Sequence, residues 1–137
     1  MGTWGPGIFD NDKAADWALG VAESTDISLV EATIEKALEE SNEYLNASIA
    51  MEALAAIEVV ARLAGNWGER NEHTSPADKW VEANTFEISD SLLDNCKIAI
   101  DRIIGSNSEL NDNWQGQKDY YAQWKQAVID LKKRIPS

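Results

Sequence analysis

The sequence predicts an all-α fold, a single-domain helical bundle of five to seven helices with an extended N-terminal strap. Two observations support this prediction. Apolar residues recur at spacings of three and four along most of the 137 residues, as on one face of a helix. No stretch of any length alternates apolar and polar residues as a half-buried strand does. The length fits one domain, so we assign residues 1–137 to a single helical unit.

The first ten residues, MGTWGPGIFD, contain three glycines, a proline and several large apolar side chains. Glycine and proline disfavour a helix, so residues 1–10 are expected to form the extended strap. The strap would lie across a groove between helices, with Trp4, Ile8 and Phe9 inserted as anchors. A functional alternative stays open, in which an exposed aromatic of this segment contacts a partner.

The first half of the chain predicts three helices. The first covers about 11–23 and begins at an Asx cap. The second runs from Ser28 to about residue 42, because Ser28 and Glu31 form the S-x-x-E pattern of a capping box. The third, about 46–64, is apolar on nearly every side, which is typical of a helix that its neighbours bury.

The end of this central helix combines a glycine stop with a charged pair. Gly65 occupies the position just past the helix at which glycine commonly ends it. Glu58 and Arg62 lie four residues apart in the favourable order, so we expect them to form an ion pair.

A polar loop and a short helix follow the central helix. Residues 65–76 have the composition of a loop. Ser75 and Pro76 are typical of the N-cap and the first position of a helix, which we place over about 76–84.

The last third of the chain predicts a long amphipathic helix that ends at Gly105, and a final helical region from Ser108 with a break at Gly116. Apolar residues of the final region are spaced by three and four, which indicates a seam for packing against another helix. The residues of this seam are Tyr121, Trp124, Val128, Leu131 and Ile135.

The net charge of −12 is the least ordinary property of the composition. Residues 1–60 contain twelve acids and two bases, a net charge of −10, whereas residues 61–137 contain twelve acids and ten bases. The shortage of Lys and Arg argues against direct binding of nucleic acid or of an anionic membrane surface. The charge is compatible with a basic protein partner, or with solubility alone.

Several features predict a cytoplasmic protein. No apolar run approaches the length that spans a membrane, and the N-terminus lacks the pattern of a secretory signal. The single cysteine, Cys96, cannot form an internal disulfide, in keeping with a reducing compartment. Because Cys96 lies on an apolar stripe, we expect a buried structural thiol.

Residue patterns for catalysis or cofactor binding are missing from the sequence. His73 is a single histidine in a polar loop, so no transition-metal site is expected. Residues 10–12 resemble the start of a calcium loop, but Ala15 and Val21 replace the required glycine and glutamate. Nucleophile-elbow, phosphate-loop and paired-cysteine motifs are also lacking. We expect no enzyme activity, no cofactor and no metal, although the abundant acids leave a carboxylate pair open.

Acidic residues recur along the second predicted helix and are opposed by one base, Lys36. Like charges at i,i+4 spacing destabilise a helix by about 0.2–0.5 kcal/mol a pair. Two interpretations stay open: a solvated acidic face, or an anionic ridge that meets a basic partner. Under the second, the candidate partner-binding residues, which we name the acidic row, are Glu31, Glu35, Glu39, Glu40 and Glu43.

The opening MGTWGPGIFDND, followed by Ala15, Asp16 and Trp17, is similar to the start of proteins in the bacterial domain-of-unknown-function 4259 family. The segment ALAAIEVVARLAG, residues 53–65, resembles the alanine-rich core helix of that family.

The C-terminal part of the chain carries the same resemblance. It lies in NSEL at 107–110, in Trp114 after it, and in the W-x3-V-x2-L-x2-R-I pattern over 124–135. The matches follow the family's order along nearly the whole chain, and residues 66–95 match least. The resemblance implies a small cytoplasmic bacterial protein. It supplies no catalytic residue, because the family has no known common activity.

Two functions from different classes are compatible with these observations. The first is an immunity protein of antitoxin type, an acidic module that neutralises a basic nuclease toxin, with an RNase favoured. The second is a stand-alone cytoplasmic domain with a housekeeping or small-molecule role, whose acidity serves solubility. We expect the first, with a basic protein as partner and without direct contact to nucleic acid or membrane.

Overall fold

The computed structural model describes residues 5–39 and 43–136. Within these ranges the chain forms seven α-helices and no strand, so the prediction of an all-α fold is confirmed. No helix in this part of the chain has both the length and the apolar character needed to cross a membrane. The helices are α1 Asp12–Ala22, α2 Ser28–Glu39, α3 Ala47–Leu63, α4 Ser75–Ala83, α5 Asp90–Ile103, α6 Glu109–Gln115 and α7 Tyr121–Arg134.

Helix α3 forms the centre of the bundle, because it contacts each of the six other helices named above. Its buried surface is rich in alanine, and small side chains let neighbouring helices approach closely. The prediction of a buried central helix is therefore confirmed. The fully buried alanines of α3 are Ala50, Ala53, Ala55, Ala56 and Ala61.

Polar side chains satisfy the first amides of several helices, as the N-cap rule requires. Each of these caps accepts a hydrogen bond from an amide two or three residues further on. At the other end of α3, Gly65 has a φ of +90°, a left-handed conformation that glycine adopts without strain and that ends the helix as predicted. The capping residues are Asn11, Asn46, Ser89 and Ser108.

Two predicted caps are displaced by one position, because Ser28 and Ser75 are each the first residue of a helix. The Ser28 hydroxyl donates to Asp26 Oδ1 at 2.6 Å, while the Glu31 amide donates to the backbone carbonyl of Ile27. The predicted capping box at Ser28 is therefore wrong. The hydrogen bonds from Ser28 instead lower the pKa of Asp26.

The described part of the predicted strap, residues 5–10, is turned rather than extended. The Asp10 amide donates to the Gly7 carbonyl at 3.1 Å, and the Gly7 amide donates to Asp10 Oδ2 at 3.0 Å. These two bonds close a tight turn. Ile8 and Phe9 are buried against the core, so the anchoring predicted for them is confirmed. Trp4, the third predicted anchor, lies outside the described residues.

We expect Phe9→Ala to lower the free energy of unfolding by about 3–5 kcal/mol, because it empties a buried aromatic site. Phe9 is 3% exposed. Urea denaturation measures the change. Leu19, an apolar residue of α1 that is 58% exposed, provides the control. Leu19→Ala should shift the unfolding free energy by no more than about 0.5 kcal/mol. A loss at Phe9 as small as that at Leu19 would contradict the anchoring.

A second prediction concerns the thiol of Cys96, which the structure buries as expected. Burial raises the pKa of this thiol to about 12. The thiolate is the reactive form, so the native thiol should be nearly inert at neutral pH. We expect an aromatic disulfide reagent to modify native protein at least about a hundredfold more slowly than protein unfolded in urea. Equal rates in the two states would show that Cys96 is accessible.

Candidate functional site

The acidic row is divided by the structure. Glu35 and Glu39 are exposed on α2, and Glu31 on the same helix is half-buried. Glu43 is exposed but lies in a bend after α2, and Glu40 lies outside the described residues. The predicted helical repeat from Glu31 to Glu43 is therefore wrong at its last member.

Hydrogen bonds from the end of α5 and from the α5–α6 connection explain where Glu43 lies. The Asn107 side-chain amide donates to the Glu43 carbonyl at 2.9 Å, and the Arg102 guanidinium donates to the same oxygen. Two residues later the Leu45 amide donates to the Asn107 carbonyl at 3.0 Å, and the Glu109 amide donates to the Leu45 carbonyl at 2.9 Å. These contacts across the fold hold the chain outside the helix that its acidic pattern predicted.

The acids of α2 have no ionic partner in the part of the chain that the structure describes. Within residues 5–39 and 43–136, no Lys, Arg or His nitrogen lies within 4.0 Å of the carboxylates of Glu31, Glu35 or Glu39. Further exposed acids lie on and near α1. On and near α1 and on α2 the described acids outnumber the exposed bases, which are Lys13 and Lys36, so these segments carry a net negative charge. The additional exposed acids are Asp12, Asp16, Glu23 and Asp26.

A second group of charges lies inside the molecule, at the C-terminal end of α3. The predicted pair of Glu58 and Arg62 is confirmed, and both side chains are buried, with 7% and 1% of their surface exposed. Burying charges is costly unless they are paired and hydrogen-bonded. Further partners are therefore needed around this pair.

Three other segments supply those partners. Arg62 Nε donates to Asp78 Oδ1 of α4 at 2.7 Å, and Arg62 Nη2 donates to the Glu69 carbonyl of the loop at 2.6 Å. Arg134 of α7 donates from Nη1 and Nη2 to the two oxygens of Glu58, at 2.9 and 2.7 Å. Such a forked pair of hydrogen bonds is the strongest geometry for arginine and a carboxylate. We name Glu58, Arg62, Asp78 and Arg134 the ionic cluster.

Aromatic rings and a threonine complete the surroundings of the ionic cluster. The Arg62 guanidinium lies 5.8 Å from the ring centre of Phe9 and 5.6 Å from that of Trp67. Both distances allow a cation–π attraction that burial strengthens. Thr74 is the N-cap position of α4, but its hydroxyl donates to Asp78 Oδ2 at 2.5 Å instead of capping the helix.

A cavity of about 280 Å³ lies beside the ionic cluster. Its walls come from the turned strap, the end of α3, the loop before α4, and α7. The size is close to the lower end of the roughly 300–1,000 Å³ range of small-molecule sites. The charged residues that line it are Asp10, Glu58, Arg62, Glu69, Asp130 and Arg134.

Sequence reasoning missed the ionic cluster beyond its first pair. One signal was present, since Glu58 and Arg62 interrupt a helix that is otherwise apolar on nearly every side. Charges in a buried helix require partners from elsewhere, but the sequence does not say where these lie. Asp78 and Arg134 are separated from that pair by 16 and 76 residues, so no local spacing points to them.

The side chains of the described residues can be considered as metal ligands and as charge pairs. Within them no three His, Cys, Asp or Glu side chains are grouped so that they could hold a metal ion. His73 is half-buried in the loop, and its Nε2 lies 3.9 Å from Glu72 Oε1. The charges of the ionic cluster are engaged with one another.

We expect Arg62→Met to lower the unfolding free energy by about 3–5 kcal/mol, because it removes the buried cation that Glu58 and Asp78 share and leaves Asp78 only the longer ionic contact of 3.4 Å with Arg70. Asp78→Asn removes one of those charges. The double variant should therefore lose clearly less than the sum of the two single losses. Urea denaturation of the four proteins measures this coupling.

Lys132 and Asp101 provide the control, because their ion pair at 2.7 Å lies on the surface. Lys132→Met should cost no more than about 1 kcal/mol. If the losses of unfolding free energy at Arg62 and Asp78 were strictly additive, the buried contact between these two residues would not contribute to stability.

The comparisons with known proteins agree with the resemblance seen in the sequence. No curated protein and no solved structure matches the chain. The family described as Domain of unknown function (DUF4259) matches residues 2–127 of the 137. The match includes the strap from residue 2, helix α3 and the loop before α4, and it ends before Arg134 of the ionic cluster. The chain therefore belongs to the DUF4259 family.

Proposed function

We propose that this protein is an immunity protein of antitoxin type, a small acidic module that binds and neutralises a basic nuclease toxin in the cytoplasm. An RNase is the favoured class of toxin. Such toxins bind nucleic acid through a basic cleft. An acidic inhibitor is electrostatically complementary to that cleft and can bind to it.

The observation that carries this proposal is the exposed acidic face of α2. Glu35 and Glu39 project from a helix whose opposite face, with Val30, Ile34 and Ala37, is fully buried. A row of like charges without a described counter-ion weakens its own helix. This cost has a reason if the charges meet a basic surface.

The packing of α2 supports the same proposal. The helix contacts both α3 and α5 along the bundle, so its outer face is presented by a rigid element. A preorganised face loses little conformational freedom when a partner binds. Charges at such a face mainly speed association and select the partner.

The competing explanation is a stand-alone domain with a housekeeping or small-molecule role, whose charge serves solubility. It predicts that the acids of α2 are interchangeable with those elsewhere on the surface. The two explanations therefore differ in whether the position of the charges matters.

The partner to test is the product of a neighbouring reading frame that arrests growth when it is expressed alone. We expect co-expression of this protein to restore growth. Glu35→Lys combined with Glu39→Lys should leave the fold intact, because lysine forms helices about as well as glutamate. It should slow association by about tenfold or more at low salt, and by less at high salt because of screening. Stopped-flow association kinetics measure both rates.

The matched control reverses Asp119 and Asp130, exposed acids just before and within α7, and changes the net charge equally. This variant should associate at nearly the original rate. A stronger effect at Asp119 and Asp130 than at Glu35 and Glu39 would refute the acidic row as the binding surface. Failure to restore growth with any neighbouring product would refute the immunity role.

A further inference from the structure

The wall of the cavity beside the ionic cluster contains two kinds of polar group that still have room for a hydrogen bond. Some arginine N–H groups have no acceptor among the described residues, and some carboxylate oxygens have no donor there. The cavity is not needed for the proposed binding of a toxin, which rests on α2. Its residues therefore call for a separate account.

The donors come first from Arg62. A guanidinium has five N–H groups. One each from Nε, Nη1 and Nη2 is engaged, by Asp78, Glu58 and the Glu69 carbonyl respectively. The two others have no acceptor among the residues that the structure describes. The Arg62 side chain is 1% exposed and lines the cavity, so an acceptor bound in the cavity would be placed next to these donors.

Arg134 places a second guanidinium in the same wall. Both arginines donate to Glu58 Oε1, so the two cations converge on one oxygen. Gly68 makes room for this arrangement, since a Cβ at that position would lie 2.8 Å from Arg134 Nη1. The site is therefore formed by a close backbone approach as well as by charge.

The carboxylates of the cavity limit the charge of an occupant. Four acids and two arginines line the space, a net charge of −2, which disfavours a phosphate or any other multiply charged anion. Asp10 uses Oδ2 to accept from the Gly7 amide, and Asp130 uses Oδ1 to accept from Gln126. Each retains a second oxygen with no donor in the described part of the chain.

We propose that this cavity binds a small zwitterion of the α-amino-acid class. The carboxylate of the ligand accepts from Arg62 and Arg134, and its ammonium group donates to Asp10 and Asp130. A molecule with both groups satisfies the arginine donors and the remaining carboxylate oxygens together. A simple amine would face two arginines, and a simple acid would face four carboxylates.

The cavity size agrees with this class of ligand. About 280 Å³ accommodates a free amino acid, whereas drug-sized ligands occupy pockets of up to about 1,000 Å³. Such a ligand would touch the strap, the loop before α4 and α7 at once, so its binding should raise the Tm.

The experiment titrates the full chain with each proteinogenic L-amino acid by calorimetry, and follows the backbone amides by NMR. At least one amino acid should bind and shift the amides of residues 7–10 and 68–74. The decarboxylated amine and the deaminated acid of that ligand should each bind at least about tenfold more weakly. The proposal is overturned if no amino acid binds, or if either half-ligand binds equally well.

Two alanines of α7 provide a matched pair of variants. Ala127 lines the cavity, while Ala122 is exposed on the same helix and does not line it. Ala127→Leu fills the space without changing a charge, and should weaken binding at least about tenfold. Ala122→Leu should leave it unchanged. Equal affinities of the two variants would place the ligand elsewhere and overturn the proposal.

Asp130→Asn tests the orientation of the ligand. It also provides a second test of the site if the Ala127→Leu variant does not fold. The substitution is nearly isosteric on an exposed position, so the fold should persist. It should weaken binding of the amino acid, but should strengthen binding of the deaminated acid, because it removes one of the four carboxylates that repel an anion. An unchanged affinity for the amino acid would overturn the assigned ammonium site.

Discussion

A guanidinium buried in the core, that of Arg62, is the constraint on which much of this structure depends. Its desolvation is tolerated because Glu58 and Asp78 provide opposite charge and because the rings of Phe9 and Trp67 lie within about 6 Å of the guanidinium. The strap, the loop, α4 and α7 each bring one element of this environment to the end of α3. The ionic cluster thereby adds directional contacts between segments that also meet through apolar residues of the core.

Helix α3 consequently joins two kinds of packing in one element. Most of its length is apolar and rich in alanine, and there contact depends on shape and on the area removed from water. Near its C-terminal end, contact depends on hydrogen bonds whose geometry admits few alternatives. The second kind of contact selects a unique arrangement, whereas an apolar surface alone tolerates repacking. The exposed acids of α2 take no part in either kind of packing, because they face solvent.

The helices could be predicted from the sequence because their apolar periodicity is local and strong. Burial of Phe9 and the Glu58–Arg62 pair were predictable for the same reason, as each follows from neighbouring residues. The position of Glu43 was not, because the bonds that hold its carbonyl come from Asn107, 64 residues away. The cavity could not be predicted from the sequence either, since the segments that form its walls are brought together only by the fold. Local rules therefore predicted the elements, and tertiary contacts decided both candidate sites.

The link between Glu58 and Arg134 spans 76 residues of chain, most of the molecule. Closing so long a loop costs conformational entropy before the ion pair contributes any stabilisation, so we expect this contact to form late in folding. An interaction absent from the transition state acts on the unfolding rate and leaves the folding rate nearly unchanged. We therefore expect Arg134 to act mainly on the unfolding rate, and so to lengthen the lifetime of the folded state without changing how quickly that state is reached.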